Sequence, residues 1–286
     1  MNFLLLSLLP FFQNLMEPIS GEIIFRPESY IIPEANATLF AVMEAGLGVV
    51  GLIFCIIWVI KKKDYIPFYV WLGGIPMAIV ETFADLNGHI WWAVNLPGPA
   101  FTSFSTSLPL IVILAYCGFC TICYVGYYYF KKGMTKKSLL LLWAVLCIAE
   151  GAFEIPLTSS QAWIYYGFSP FKVFGFPLWW AWINGTGFFF IAFLIWIIKP
   201  HVSGWKNTAI ILTPLLGFSF TYGFLALPNW IAINYPIPVI LSYVVSLLSL
   251  FICIMFVRFL ANIMATDSTI NAKAVSGFLE KVRGIA

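Results

Sequence analysis

Seven apolar stretches, separated by short polar joints, constrain this chain more than any other feature of it. They run over Ala37–Ile60, Tyr65–Leu86, Leu108–Phe130, Ser138–Leu157, Phe176–Ile198, Thr208–Leu227 and Pro236–Leu260. A helix rises about 1.5 Å per residue, so ~20 residues cross a hydrocarbon core of about 30 Å. A transmembrane barrel would need ~10-residue segments of alternating polarity, a pattern these runs lack. Charged residues make up 9% of the 286-residue chain, against roughly 25% in an ordinary soluble domain. The expected fold class is therefore all-α: a polytopic membrane protein, a seven-transmembrane-helix bundle over 37–264. An outer or interfacial segment, 1–36, precedes it, and a cytoplasmic tail, 265–286, follows.

Charge placement gives the orientation. Lys61, Lys62 and Lys63 fall in the first joint, Lys131, Lys132, Lys136 and Lys137 in the third, Lys199 and Lys206 in the fifth. Arg258, Lys273, Lys281 and Arg283 follow at the C-terminal end, which leaves Arg26 and Lys172 on the other side. Basic residues stay cytoplasmic, so the N-terminus is expected outside and the C-terminus in the cytoplasm. The same placement accounts for the net charge of +3 without a nucleic-acid partner. The first sixteen residues are apolar but lack a basic start and a small-residue cleavage site, and read as interfacial or partly inserted.

All six cysteines (Cys55, Cys117, Cys120, Cys123, Cys147, Cys253) fall inside apolar runs, which argues against a disulfide framework. Cys117, Cys120 and Cys123 share a helix face, but no His, Asp or Glu lies near them in sequence. They read as small apolar packing residues, and no metal site is expected.

Acids inside a span are costly, on the order of 2.5–3.5 kcal/mol each, and mark candidate sites. Glu44, Glu81, Asp85, Glu150 and Glu154 are such acids. Glu44 stands 17 residues from Lys61, Glu81 17 from Asp64, and Glu154 17 from Lys137. All three are thus about 26 Å from the basic end. Asp85 and Glu150 sit one turn to either side, and each i, i+4 pair shares a face. Asn184, Tyr222 and Tyr243 fall in nearly the same layer, counted from Lys199, Lys206 and Arg258. Glu44 also stands among Ala45, Gly46 and Gly48, where a hydrogen bond across a tight helix contact is the alternative.

Two carboxyls in a small dry space cannot both ionise cheaply, so such a pair can offer a general acid beside a base. Trp91, Trp92, Tyr165, Tyr166, Trp179 and Trp180 lie above this layer. Their faces can stabilise a developing cation, although interfacial belts of Trp and Tyr occur in any membrane protein. His89, just past the second span, is a candidate proton relay or a solvated loop residue. No glycine-rich phosphate loop, paired histidine motif or nucleophile elbow is present, which leaves metal-free acid–base chemistry on the enzyme side.

Two segments carry a family resemblance. The first is Glu81-Thr-Phe-Ala-Asp85, running on to Gly88, His89, Trp91 and Trp92. The second comprises Glu154-Ile-Pro156, Tyr165-Tyr166-Gly167, Phe176-Pro177-Leu178-Trp179-Trp180 and Asn184. Together they resemble the AveC-type spirocyclases, a family of bacterial integral membrane proteins. Thr82 stands where that family has proline, and Phe168-Ser169 where it has a glutamine before Pro170. The resemblance implies closure of spiroketal rings on a hydroxylated ketone of polyketide type, no cofactor, and a multi-pass protein of a bacterial plasma membrane. Glu81, Asp85, Glu150 and Glu154 would then be the catalytic acids. Glu44, His89, Trp91, Trp92, Tyr165, Tyr166, Trp179, Trp180, Asn184, Tyr222 and Tyr243 would hold a lipophilic small molecule. Two alternatives stay open: a terpenoid cyclase acting by alkene or epoxide protonation, and a proton-coupled transporter, for which buried acids are also relays.

Overall fold

The structure is a computed structural model and describes residues 27–266. The expected interfacial stretch and Arg26 lie outside the described residues, as do Lys273, Lys281 and Arg283 of the expected tail.

A long helix, α1 (Glu34–Lys62), is followed by a bent pair, α2 (Ile66–Leu72) and α3 (Met77–Gly88), with 45° between them. Next come α4 (Ile111–Lys132), α5 (Lys136–Ser159) and α6 (Trp179–Ile198). The chain then tightens into 3-10 turns over Lys199–His201 and Gly204–Ile211, passes through α7 (Leu212–Phe220), and widens into a π turn at Thr221–Leu225. Helices α8 (Leu227–Asn234) and α9 (Val239–Met264) complete the described part. Among the described residues, six helices are long and apolar enough to cross a membrane, or seven if the bent pair is one span.

Helices α4 and α6 sit at the centre. The first packs on α1, α2 and α6; the second packs on α4, α5, α7 and α9. Outward faces remain apolar, as Ile53, Ile57 and Ile60 show on α1, Leu141, Val145 and Ile148 on α5, and Val244, Leu247 and Phe251 on α9. A surface this greasy needs lipid against it. Small residues let the backbones meet. A Cβ on Gly118 would fall 2.5 Å from the Leu47 carbonyl oxygen, and one on Gly48 would overlap the Leu114 carbonyl. Close backbone crossings of this type are how membrane helices associate where no hydrophobic drive is left between them.

Two of the apolar runs are not continuous helices, contrary to the sequence expectation. Tyr65–Leu86 breaks at Gly73-Gly74-Ile75-Pro76, because proline supplies no backbone N–H and the glycines cost helix stability. The break serves packing: a Cβ on Gly74 would overlap the backbone of Tyr116 and Cys117. Thr208–Leu227 changes pitch along its length, and its π turn is held from inside the bundle. Ser249 Oγ donates to the Leu225 carbonyl (3.1 Å), Asn229 Nδ2 donates to Ser249 Oγ (2.8 Å), and Ser246 Oγ donates to Asn229 Oδ1 (2.8 Å). Backbone groups freed by a broken helix are tolerated at membrane depth when protein satisfies them in this way.

The chain is all-helical apart from a few short strands, and these make up the joints at the basic-poor end. Strand β1 (Ile90–Trp92) leaves α3, and β2 (Ala100–Ser103) with β3 (Thr106–Pro109) forms a hairpin before α4. Strand β4 (Trp163–Tyr165) follows α5 and pairs antiparallel with β1, setting Ile90 opposite Tyr165 and Trp92 opposite Trp163. A minimal hairpin, β5 (Lys172–Val173) and β6 (Phe176–Pro177), leads into α6. The stretch before α1 is laced to this cap. The Tyr30 hydroxyl reaches the carbonyls of Trp91 (3.0 Å) and Gln161 (3.1 Å), and Asn95 bonds both backbone groups of Ile32 (3.0 and 2.9 Å).

Candidate functional site

The acid layer inferred from residue counting is one cavity. Glu44 of α1, Glu81 of α3, Glu150 and Glu154 of α5, Asn184 of α6 and Tyr222 of the π turn all line it. Trp92, Trp163 and Tyr165 of the β1–β4 ribbon form its roof, and Trp180 joins them from the first turn of α6. The free space is about 40 Å³, which is room for about three waters.

Side-chain pairing divides the acids into two groups. Asn184 Nδ2 donates to Glu150 Oε1 (2.5 Å) and to Glu154 Oε1 (3.4 Å), and the Tyr165 hydroxyl donates to Glu154 Oε2 (2.8 Å). Glu150 and Glu154 also interact directly. In the second group, Glu81 interacts with Tyr116 and with Asp85. Asp85 is fully buried one turn beyond Glu81, and its Oδ2 accepts from Trp92 Nε1 (2.9 Å). Glu44 has Glu81 and Glu150 as charged neighbours and stands in the cavity wall, while Gly48 makes the helix contact.

Every partner of these carboxyls is neutral or another carboxyl, and among the described residues no Lys, Arg or His lines the cavity. Apart from these carboxyl–carboxyl contacts, Glu81 Oε2, Asp85 Oδ1, Glu150 Oε2 and Asn184 Oδ1 are buried without a hydrogen-bond partner among the described residues. Unpaired buried acceptors are expensive, so protons within the acid groups are what keeps them affordable in the dry interior. Among the described residues no group of three His, Cys, Asp or Glu is arranged to hold a metal ion. The cysteine face of α4 is buried and free of disulfides.

The aromatic residues sort into roof and frame. Trp92 and Trp163 lie 4.9 Å apart, and Phe40 of α1 packs edge-on to both (6.1 and 6.4 Å). Trp180 stands between Tyr165 (6.1 Å) and Tyr222 (5.5 Å). Gly88 makes room for it, since a Cβ there would come within 2.5 Å of the indole.

Six of the residues expected at the site do not line the cavity: Asp85, one turn beyond Glu81, and five that lie elsewhere. Trp179 is buried behind Trp180 at 4.6 Å and donates to Ser169 Oγ (2.9 Å). Trp91 faces a separate outer cleft beside Ser29 and Pro109. His89 turns away, with Nε2 against Asn234 Oδ1 (3.0 Å) and its ring stacked on Tyr166 at 5.0 Å. Burial lowers the His89 pKa below the usual histidine value. Tyr243 packs edge-on to Phe171 (4.9 Å) on the outer part of α9. Tyr243 fits the depth count but points away from the cavity, because counting gives height and not azimuth, and the other four belong to the outer segments above the layer.

Tyr116 is the reverse case, a cavity residue that the sequence reading passed over. It lies 16 residues from Lys132 at the basic end of α4, in the same layer as the acids, so the same count reaches it. Comparison with protein-family models, with curated proteins and with solved structures finds no match to this chain.

Proposed function

We propose that the chain is a membrane-embedded, cofactor-independent acid–base cyclase acting on a lipophilic small molecule. The observation that carries the reading is the meeting of Glu81, backed by Asp85, with Glu150 and Glu154 at one dry cavity under indole and phenol rings. One hydroxyl of the substrate adds to the protonated ketone to give a hemiketal, and a protonated member of either pair donates to the hemiketal hydroxyl. That hydroxyl leaves as water, an oxocarbenium forms beneath Trp92, Trp163 and Trp180, and a carboxylate takes the proton from the second hydroxyl as it closes the other ring. That is the spiroketal-forming chemistry of the AveC-type proteins that the sequence resembles. With about 40 Å³ free, the cavity must open around a polyketide-sized substrate, and the breaks beside Glu81 and at Tyr222 are where the helices can yield.

The reading includes seven spans, with the bent pair counted as one, the acid cavity toward the outer face, and the basic end in the cytoplasm of a bacterial cell. Expression in a host without competing cyclases, fed dihydroxyketones of graded length and analysed by mass-resolved chromatography, tests it. Ring-closed product lost less one water supports the reading. Unchanged substrate across the whole series, from correctly inserted protein, overturns it.

A second reading has an observation in its favour. Proton-coupled transporters place acids beside discontinuous helices, and Glu81 lies five residues past the break at Pro76. Protein in sealed vesicles separates the two, because a transporter acidifies or alkalises the lumen with its solute and a cyclase does not. A terpenoid cyclase working by alkene protonation would use the same acids and is told apart by its product.

A further inference from the structure

A second cavity lies at the opposite end of the bundle and has no part in the acid chemistry. It encloses about 1090 Å³ between the ends of α1 and α4, the start of α2 and the turns over 199–207. Its rim carries Lys62, Lys63, Lys131, Lys199 and His201, and Asp64 is the acid among its lining residues. Asp64 is already engaged: Tyr124 Oη donates to its Oδ2 (2.7 Å) and the Ile66 N–H to its Oδ1 (3.0 Å). Lys62, Lys63 and Lys131 are exposed, and among the described residues their ammonium groups have no acidic partner. Positive charge is therefore concentrated on this rim and left unneutralised.

The walls are of another kind. Trp58, Tyr124, Tyr127 and Trp196 supply aromatic faces, continued by Ile66 and Ile197. Among the described residues one buried polar atom of the same lining, Asn207 Oδ1, has no protein partner, while Trp58 interacts with Tyr124. A cationic mouth over an aromatic, mostly apolar hollow with a spare acceptor suits one chemistry. The ligand needs an anionic head, polar hydroxyls and a greasy tail.

We propose that this cavity is a binding site for the phosphate headgroup of an anionic phospholipid. Lys63 and Lys131 take the phosphate, Asn207 Oδ1 accepts from a hydroxyl of the headgroup glycerol of phosphatidylglycerol, and the acyl chain follows the apolar wall out toward the lipid-facing side. Lysine binds phosphate as a point charge without a fixed geometry, which suits side chains free to swing at a rim. General attraction between basic joints and an acidic membrane surface would involve every lysine at this end alike. The site instead depends on those that face the cavity.

That difference sets the experiment. The full chain, purified in neutral detergent, is titrated with phosphatidylglycerol, phosphatidylcholine and glycerol 3-phosphate, with bound species read by native mass spectrometry. Phosphatidylglycerol is expected to bind at least tenfold more tightly than phosphatidylcholine. Replacing Lys63→Gln and Lys131→Gln together should remove most of that preference, and Lys131→Gln alone should remove part of it. The paired control Lys61→Gln and Lys137→Gln, on lysines of the same end outside the cavity, should keep it. Equal binding of the two lipids overturns the proposal, as does an equal loss in the control. Glycerol 3-phosphate competing at the same concentration as the lipid also overturns it, by making the ligand a soluble phosphate ester.

Discussion

Trp92 Nε1 donates to Asp85 Oδ2 across 2.9 Å, and this bond ties the roof of the acid cavity to the helix that carries Glu81. Both residues are buried, so the bond forms away from water, where a charge-assisted or acid-assisted contact counts for more. Trp92→Phe keeps the ring against Trp163 and Phe40 but strips the donor from Asp85. Leaving that carboxyl unpaired should cost about 1–3 kcal/mol, read as a fall in the melting temperature of the purified protein. Asp85→Asn, which keeps an acceptor oxygen for the indole, should be milder on stability and harsher on turnover.

Amide substitutions separate the acids by role. Glu81→Gln, Glu150→Gln and Glu154→Gln keep the shape of the side chain and remove its ability to exchange a proton. A general acid or base is worth about 10²–10⁴-fold in rate, so at least one member of each interacting pair should lose product formation by that much. Tyr165→Phe, which deletes the hydroxyl bonded to Glu154, should lower activity by a smaller factor. If all three glutamine variants turn over at the wild-type rate while remaining inserted, the cluster is not the catalytic site.

The sequence disclosed heights and hid directions. Spans and the level of the acids follow from hydropathy and from counting back to lysines, since a helix advances by a constant rise. Whether Trp179 or Trp180 faces the cavity depends on azimuth, and an all-round apolar helix such as α6 offers no polar face from which to read it. The β1–β4 ribbon was illegible for a different reason. Its three-residue strands pair across 71 to 75 positions, from Trp92 with Trp163 to Ile90 with Tyr165, and so short a pairing leaves no period-2 signature. The break at Gly73–Pro76 was written in plain residues but masked by the apolar sum around it.

Gly118 tests the packing that holds α1 against α4. A methyl group there would lie 2.5 Å from the Leu47 carbonyl oxygen and 2.6 Å from the Leu47 side chain, and backbone cannot step aside as a flexible side chain can. Gly118→Ala should therefore force the helices apart and destabilise the protein by about 1–3 kcal/mol. Because Glu44 rides on α1, the shift should also lower activity. Gly46→Ala, with nothing within 4 Å of the added atom, should leave both unchanged. Thermal unfolding of the two variants side by side makes the comparison.

His89 gives the outer cap a pH dependence whose sign follows from its surroundings. It ends α3 in a left-handed conformation (φ 57°), is mostly buried against Tyr166 and Asn234, and has the Lys172 ammonium as a charged neighbour. Burial first, and Lys172 after it, lower its pKa, while the bond to Asn234 opposes them. The folded cap thus prefers the neutral ring, and the unfolded chain binds the proton more readily. Stability from this residue is present above the ordinary histidine pKa of about 6.5 and is lost as pH falls through the lower folded value. Acidification should accordingly lower the amide protection factors, exchange rates taken relative to the intrinsic rate at each pH, in Ile90–Trp92 and Trp163–Tyr165, the ribbon whose neighbouring Tyr166 N–H bonds the His89 carbonyl (2.9 Å). His89→Gln, which retains a polar group toward Asn234 without a titrating ring, should flatten that response. Protection factors that stay constant with pH in the wild type, or fall equally in the variant, would show that His89 does not set the pH response of the cap.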